Sequence, residues 1–282
     1  MAITKYSDIS SYIAAIYERA LFVARENNLM TGLVRTFSAQ GWMARTLSIR
    51  PTLSAASVSD GADYSNPTTF GKSTLATLTP GEVITQVILT DQNVESDPDG
   101  ARDDAALEMG NAIATKIDTD LVGTFSSFTK EMGPGAGNSA TLTDFAAAVA
   151  VLRNNKVPAP INAVLHPYHW HDIWVLLGQP AGTYAFLGDL ANQAMRDYAV
   201  NSMLGVRWFV NANIAIDTSD DAISGIFSQG AIGFDSRRAP RLEPERDASL
   251  RAWELNMTAG YGYGVIRNAF GVKYTADATE PT

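Results

Sequence analysis

The chain has 282 residues, 46% of them hydrophobic and 18% charged, enough for one large domain or two ordinary ones. Its formal net charge of -9 argues against a general phosphate-neutralising role, and the lack of any cysteine excludes disulfides, thiolate zinc sites and cysteine nucleophiles. The charged fraction is low for a soluble monomer and fits a protein that covers much of its surface with neighbours.

The start, MAITKYSDIS, has no basic segment leading into an apolar core, so no secretory signal is expected. No stretch reaches the roughly 18 uncharged apolar residues of a membrane span, and synthesis in the cytoplasm is the expectation. The first segment has helical spacing: Ser7 or Asp8 can cap it, and Ile9, Tyr12 or Ile13, Ile16, Ala20 and Val23 form the stripe. It serves either as a first core element or as an arm docking on another subunit. From Arg50 to about Thr74 the chain is rich in Ser, Ala, Gly, Asp, Asn and Pro. That is a long loop, either a free surface loop or one that becomes ordered against a neighbour.

Two β-prone runs, Thr74–Leu78 and Val83–Thr90, flank Thr79-Pro80-Gly81, and the turn signal predicts a hairpin-like pair at the base of that loop. A long helix is predicted next, capped by Asp97 with Pro98 at its first position. Asp99, Asp103 and Asp104 sit at its positive end, and Ala106, Met109, Ile113, Ile117 and Leu121 form one apolar stripe. It should run to about Phe125, roughly 40 Å at about 1.5 Å per residue. EMGPGAGNSA then reads as a break and a domain boundary.

Beyond Thr141 helices and strands alternate, which indicates an α+β or α/β layer. TLTDFAAAVAVLRNN is a capped helix, PINAVLHP a short buried strand and PYHWHDIWVLL a second helix ending at Gly178. LGDLANQAMRDYAV is a third helix, LGVRWFVN a strand running into ANIAI, and AISGIFS and AIGFDS are further short strands. From Ala239 onward aromatic and β-branched residues predict long antiparallel strands.

All three histidines, His166, His169 and His171, fall in LHPYHWHDIW. Pro167 starts the helix, which puts His166 near the N-cap. Residues two apart on a helix point about 200° apart, so His169 and His171 cannot share an ion. The two histidines four apart with an intervening glutamate that a zincin needs are absent. Trp170, Ile173, Trp174 and Leu177 supply the apolar face, leaving the histidines on its flank or cap. His166 and His169 are then candidates for a pH-tuned contact with a neighbouring subunit. GPGAGNSA lacks the lysine of a phosphate loop, GYGYG lacks the context of a dinucleotide fingerprint, and no G-x-S-x-G elbow occurs. No catalytic, metal-binding or cofactor-binding residue is assigned.

The order of elements resembles the major capsid protein of tailed phages, the Hong Kong 97-like shell fold. STLATLTPGEVITQVILTDQNVES is similar to the strand pair beside that family's extended loop, and DDAALEMGNAIATKIDTDLVGTF to its spine helix, with Asp118 or Asp120 before the apolar-Gly ending. AVLHPYHWHDIWVLLG and LGVRWFVNANIA resemble elements of its axial domain. FSQGAIGFDSRRAPRLEPERD and GYGYGVIRNAFGVKYT resemble its closing strands.

The resemblance implies an α+β fold with an N-terminal arm over 1–41 and a first peripheral part over 42–139. That part includes the extended loop (about 50–73) and the spine helix (about 98–126). An axial domain over 140–238 and peripheral return strands with a tail over 239–282 complete it. It implies a non-enzymatic capsid protein that self-assembles into pentamers and hexamers. They tile an icosahedral shell around double-stranded DNA held without sequence-specific binding, in a virion assembled in the host cytoplasm. It further implies neighbour contacts from the loop through Tyr64, Asn66, Phe70 and Lys72. Some members crosslink a loop lysine to a neighbour's asparagine; Lys72 with Asn256 or Asn268 would be the pair here, beside the plainer reading of a solvated lysine. With Met1 so close to the first element, a separate scaffolding protein is expected, with a portal and decoration proteins as further partners. An encapsulin-type nanocompartment shell shares the layout, and a histidine-dependent metal hydrolase is the rival of another class.

Overall fold

The computed structural model describes residues 28–64, 67, 69–96, 98–178 and 202–281. The helices expected over 9–23 and 187–200 lie outside them, as does Asp97.

The longest helix, α2 (Pro98–Gly123), follows a short α1 (Asp91–Ser96) and tightens into a 3-10 turn over Thr124–Ser127. Its predicted stripe packs inward: Ala106, Met109, Ile113 and Leu121 are buried, and Ile117 is half-buried. The stripe covers one face of a four-stranded sheet. That sheet is ordered β1 (Arg35–Ser38), β10 (Ile232–Asp247), β11 (Ala252–Val265), β4 (Pro80–Thr90). Val83, Val87 and Leu89 of β4 and Leu255, Met257 and Ala259 of β11 meet Ala106, Met109 and Ile113 there. Alternate residues of a strand point to opposite faces, so Ile84 and Ile88 project away from the helix, 62% and 47% exposed.

Strands β2 (Arg45–Ile49) and β3 (Ser73–Leu78) form a separate antiparallel ribbon, and residues 50–72 leave its end as the long loop. The hairpin expected around Thr79-Pro80-Gly81 does not form. Strand β3 pairs with β2 and β4 with β11, so Thr79 passes the chain from ribbon to body sheet. Local turn chemistry names a reversal but not the partners, and here two distant strands outcompete the adjacent one.

The second sheet has six strands. Their order is β5 (Glu131–Met132), β12 (Gly271–Asp277), β9 (Asp221–Ser228), β6 (Ile161–Leu165), β8 (Val206–Val210), β7 (Ser202–Met203). Helices α3 (Leu142–Asn154) and α4 (Pro167–Gly178) supply its core with the strands. Thr141 caps α3, its Oγ1 accepting from the Asp144 N–H. Phe145 stacks on Trp208 at 4.1 Å between ring centroids. EMGPGAGNSA is not an open break: β5 runs parallel to β12, and Gly133, at φ +114°, lies so close that a Cβ would meet the Thr275 carbonyl oxygen at 2.5 Å. Strand β12 belongs to this sheet, apart from its sequence neighbour β11. ANIAI is no strand beyond a single bridge between Ile216 and Ala222.

A third core joins the two sheets. Phe125 and Phe128, after α2, pack with Phe227, Phe234, Tyr261 and Met30. Glycine makes the approach of the sheet possible, since a Cβ on Gly271 would lie 2.1 Å from the Phe128 ring. Buried Asp118 of α2 ties the same joint: Oδ1 accepts the Met30 N–H at 2.9 Å and Oδ2 accepts the side-chain amides of Asn211 and Asn213.

Candidate assembly surface

The ribbon that carries the long loop is anchored at its root. Asp235 of β10, fully buried, accepts Arg45 Nε at 2.9 Å and Arg237 Nε at 2.8 Å on Oδ2. Arg45 Nη2 also donates to the Ser38 carbonyl, and its guanidinium lies 5.0 Å from the Phe37 ring centroid. The charge-assisted bond from Arg45 to this buried carboxylate, with its second bond to Ser38, holds strand β2 to the body, while Arg237 shares the carboxylate from within β10. Farther out Arg50 lies 4.8 Å over Phe70, which closes the mouth of the loop by a cation–π contact.

Beyond that clasp every described residue of 50–72 is exposed, including the large apolar side chains of Leu53, Val58, Tyr64 and Phe70. An arm of about eleven residues out and back can reach on the order of 35 Å from its root. Tyr64, Phe70 and Lys72 therefore lie on an exposed projection, while Asn66 is outside the described residues. Asn256 lies in mid-β11 opposite Gln86 of β4. Asn268 is exposed in the 3-10 turn before β12, its Oδ1 accepting the Thr129 N–H at 3.2 Å.

The second exposed apolar region is the face of the four-stranded sheet opposite α2. Trp42 lies over it, 48% exposed, filling the space above Gly260 and stacking 5.0 Å from the Arg238 guanidinium. Arg238 pairs with Glu82. Glu82, Ile84 and Ile88 share one face of β4, so Trp42 and both isoleucines lie on the same side of the sheet. Periodicity in the sequence showed which β4 residues face apart from their neighbours; only the helix packed on one side shows which set is left bare.

The histidine segment is structural and inward. His166 and His169 are 6% and 0% exposed. His166 Nδ1 accepts the Tyr168 N–H at 3.2 Å, a side-chain cap of the first turn of α4. The reading of His169 as a flank residue is corrected. Its Nε2 donates to the Ala276 carbonyl of β12 at 3.0 Å and its Nδ1 accepts the Ser224 hydroxyl of β9 at 2.8 Å. Ser224 Oγ in turn accepts the His166 backbone N–H. This closed network fits a neutral imidazole with its proton on Nε2 and leaves no ring nitrogen for an ion. Desolvation pushes the His166 pKa down to about 4, with the neighbouring His169 adding to it, and desolvation also lowers His169. Neither side chain is placed to meet a neighbour, which overturns the expected pH-tuned subunit contact. His171 alone is partly exposed, with Nδ1 3.7 Å from Asp172.

Among the described residues no three or more His, Asp or Glu side chains gather as a metal site, and no helix is long and apolar enough to cross a membrane. A family model described as "Phage capsid protein" matches residues 84–274. No curated protein matches the chain. Among solved structures, the capsid of cyanophage P-SCSP1u is 14% identical over 88% of this chain and 87% of that one, with a TM-score of 0.66. The acid-stable capsid of Helicobacter pylori bacteriophage KHP30 is 11% identical over 87% and 88%, TM-score 0.67. A virus-like particle from Pyrococcus furiosus is 10% identical over 93% and 98%, TM-score 0.61.

Proposed function

The chain belongs to the phage capsid protein family, with a Hong Kong 97-like α+β fold, and is a major capsid protein that forms the phage shell; from that premise we propose that its copies close as pentamers and hexamers into an icosahedral shell around double-stranded DNA. The observation that carries the reading is the exposed arm 50–72, rooted on Asp235 but bearing Leu53, Val58, Tyr64 and Phe70 in solvent. A subunit gains by covering such side chains only with another molecule. In the shell, Tyr64, Phe70 and Lys72 lie against the adjacent subunit, with Asn66 beside them in sequence. The four-stranded sheet and α2 form the peripheral domain, over about 42–139 and 239–282 with β1 and the start of β10 added, and the six-stranded sheet with α3 and α4 forms the axial domain, over 140–238 with β5 added. Strand β12 crosses back to the axial sheet.

The net charge of -9 suits a wall that confines DNA without gripping it. Copies assemble in the host cytoplasm with a separate scaffolding protein and a portal. No step of this role needs catalysis or a cofactor. Likeness to the Pyrococcus furiosus particle supports a second reading, a nanocompartment shell that encloses protein cargo. The test is electron microscopy of the expressed chain, alone and with its gene neighbours. Closed shells or capsomers are expected, and a monomer that persists under all assembly conditions refutes the reading. Nuclease-protected DNA in particles from infected cells separates the phage shell from the cargo compartment.

A further inference from the structure

An open sheet has two edges, and natural proteins blunt them with short strands, bulges, charges or prolines, because open N–H and C=O groups recruit other strands. Most sheet edges among the described residues obey that rule. In the six-stranded sheet the edge strands β5 and β7 are two residues each. In the four-stranded sheet β1 has four residues and begins with Arg35. The ribbon strands β2 and β3 have five and six.

Among the described residues the exception is β4. It has eleven residues and lies at the end of its sheet. It keeps one unbroken register with β11 from Pro80↔Gly262 to Thr90↔Ala252, so no bulge twists the edge away. It contains no Lys or Arg, its proline is its first residue, and its one charge, Glu82, is already paired with Arg238. It also carries the exposed Ile84 and Ile88.

We propose that β4 pairs antiparallel with β4 of a second copy across a two-fold axis through Gln86, joining two four-stranded sheets into one. Self-pairing of an antiparallel strand is two-fold by construction and buries the same patch on both copies. The register follows from the side chains. Centred on Gln86, Ile84 lies opposite Ile88 of the second copy and Glu82 opposite Thr90. On the helix side, Val83 meets Leu89 and Thr85 meets Val87. Centred one residue earlier, Ile84 would face Gln86 and Glu82 would face Ile88, setting charge against apolar surface. Of the two, only the first sets Ile84 against an isoleucine and keeps Glu82 off apolar surface. The contact is a second interface, distinct from that of the long arm, and as a link between capsomers it rests on the shell reading.

The absence of native cysteine makes the register directly readable. Directly opposed residues of an antiparallel pair have Cα atoms about 4.5–5.5 Å apart, within disulfide reach, while residues four along a strand are about 13 Å apart and are not. Particles assembled from Gln86→Cys, mildly oxidised, should give a covalent dimer on a non-reducing gel. Ile84→Cys alone and Ile88→Cys alone should give none, and the two co-assembled should give it again. Particles that form but show no dimer with Gln86→Cys, or equal crosslinking by all three single variants, overturn the proposal and leave the shell reading intact. Failure of the unaltered chain to form particles or capsomers removes both. As a second measurement, Ile84→Lys/Ile88→Lys alters side chains already in solvent. The subunit should keep its circular dichroism and melting temperature while particle yield falls at least tenfold; assembly at the unaltered yield overturns the proposal.

Discussion

Lowering the pH from 7 to 5 is expected to cost the unassembled subunit about 2 kcal/mol of stability through His166 alone. The side chain is 6% exposed and its pKa is pressed from 6.5 to about 4 by desolvation first and by His169 second. The unfolded chain takes up its proton near 6.5 and the folded chain only near 4. Between those values the unfolded state binds more protons, so stability falls as the pH falls. The contribution is whole above about 6.5 and exhausted below about 4. A difference of about 2.5 units is worth ~3.4 kcal/mol in full, of which about 2 is gone by pH 5. Carboxylates such as Glu131, held low by Thr275 and Lys273, and Asp277, held low by Thr279, lose their contribution mainly below that window. Urea denaturation followed by tryptophan emission reads the region directly, since Trp170 and Trp208 pack edge to face, 5.5 Å apart, in the α4 core. His166→Asn keeps an acceptor for the Tyr168 N–H and removes the titration. It should cut the loss between pH 7 and 5 to what His169 still imposes, and His166→Asn/His169→Gln should flatten it. A His166→Asn profile as steep as that of the unaltered chain refutes the reasoning.

Asp118→Asn puts an amide donor where two oxygens accept Met30, Asn211 and Asn213, and should cost about 2–3 kcal/mol in the same denaturation assay. Gly271→Ala drives a methyl against the Phe128 ring, which should cost roughly 1–3 kcal/mol, read as a lowered melting temperature; Phe128→Leu in the same chain should recover part of it. Thermolysin should cut the unassembled subunit first within residues 50–72, at Leu53 or Val58, and those bonds should be protected in particles. Equal cleavage rates in the two states would count against the arm as an interface.

Much of the architecture is local and was legible as such. The α2 stripe from Ala106 to Leu121, the Thr141 cap and the wholly buried Ile161–Leu165 strand each follow from spacing within sixteen residues or fewer. The exposed arm was legible too, as a stretch with no period and few large aliphatic residues. The edge and face of β4 were not. Its alternation was plain, but nothing in Pro80–Thr90 tells that Ala252–Val265 covers one side and that the other stays open.

The same division governs the histidines. Sequence alone determined that Pro167 starts a helix, that His166 stands at its cap, and that His169 and His171 diverge too far to share an ion. It could not determine that His169 is buried, because its partners Ser224 and Ala276 lie 55 and 107 residues away. A helical period reports one apolar face; whether a polar neighbour of that face meets solvent or a strand depends on what the rest of the chain lays against it. Composition and period therefore determined the main described elements and the unburied arm, whereas pairing, burial and the open edge were decided by tertiary structure, since each depends on contacts between residues far apart in the chain.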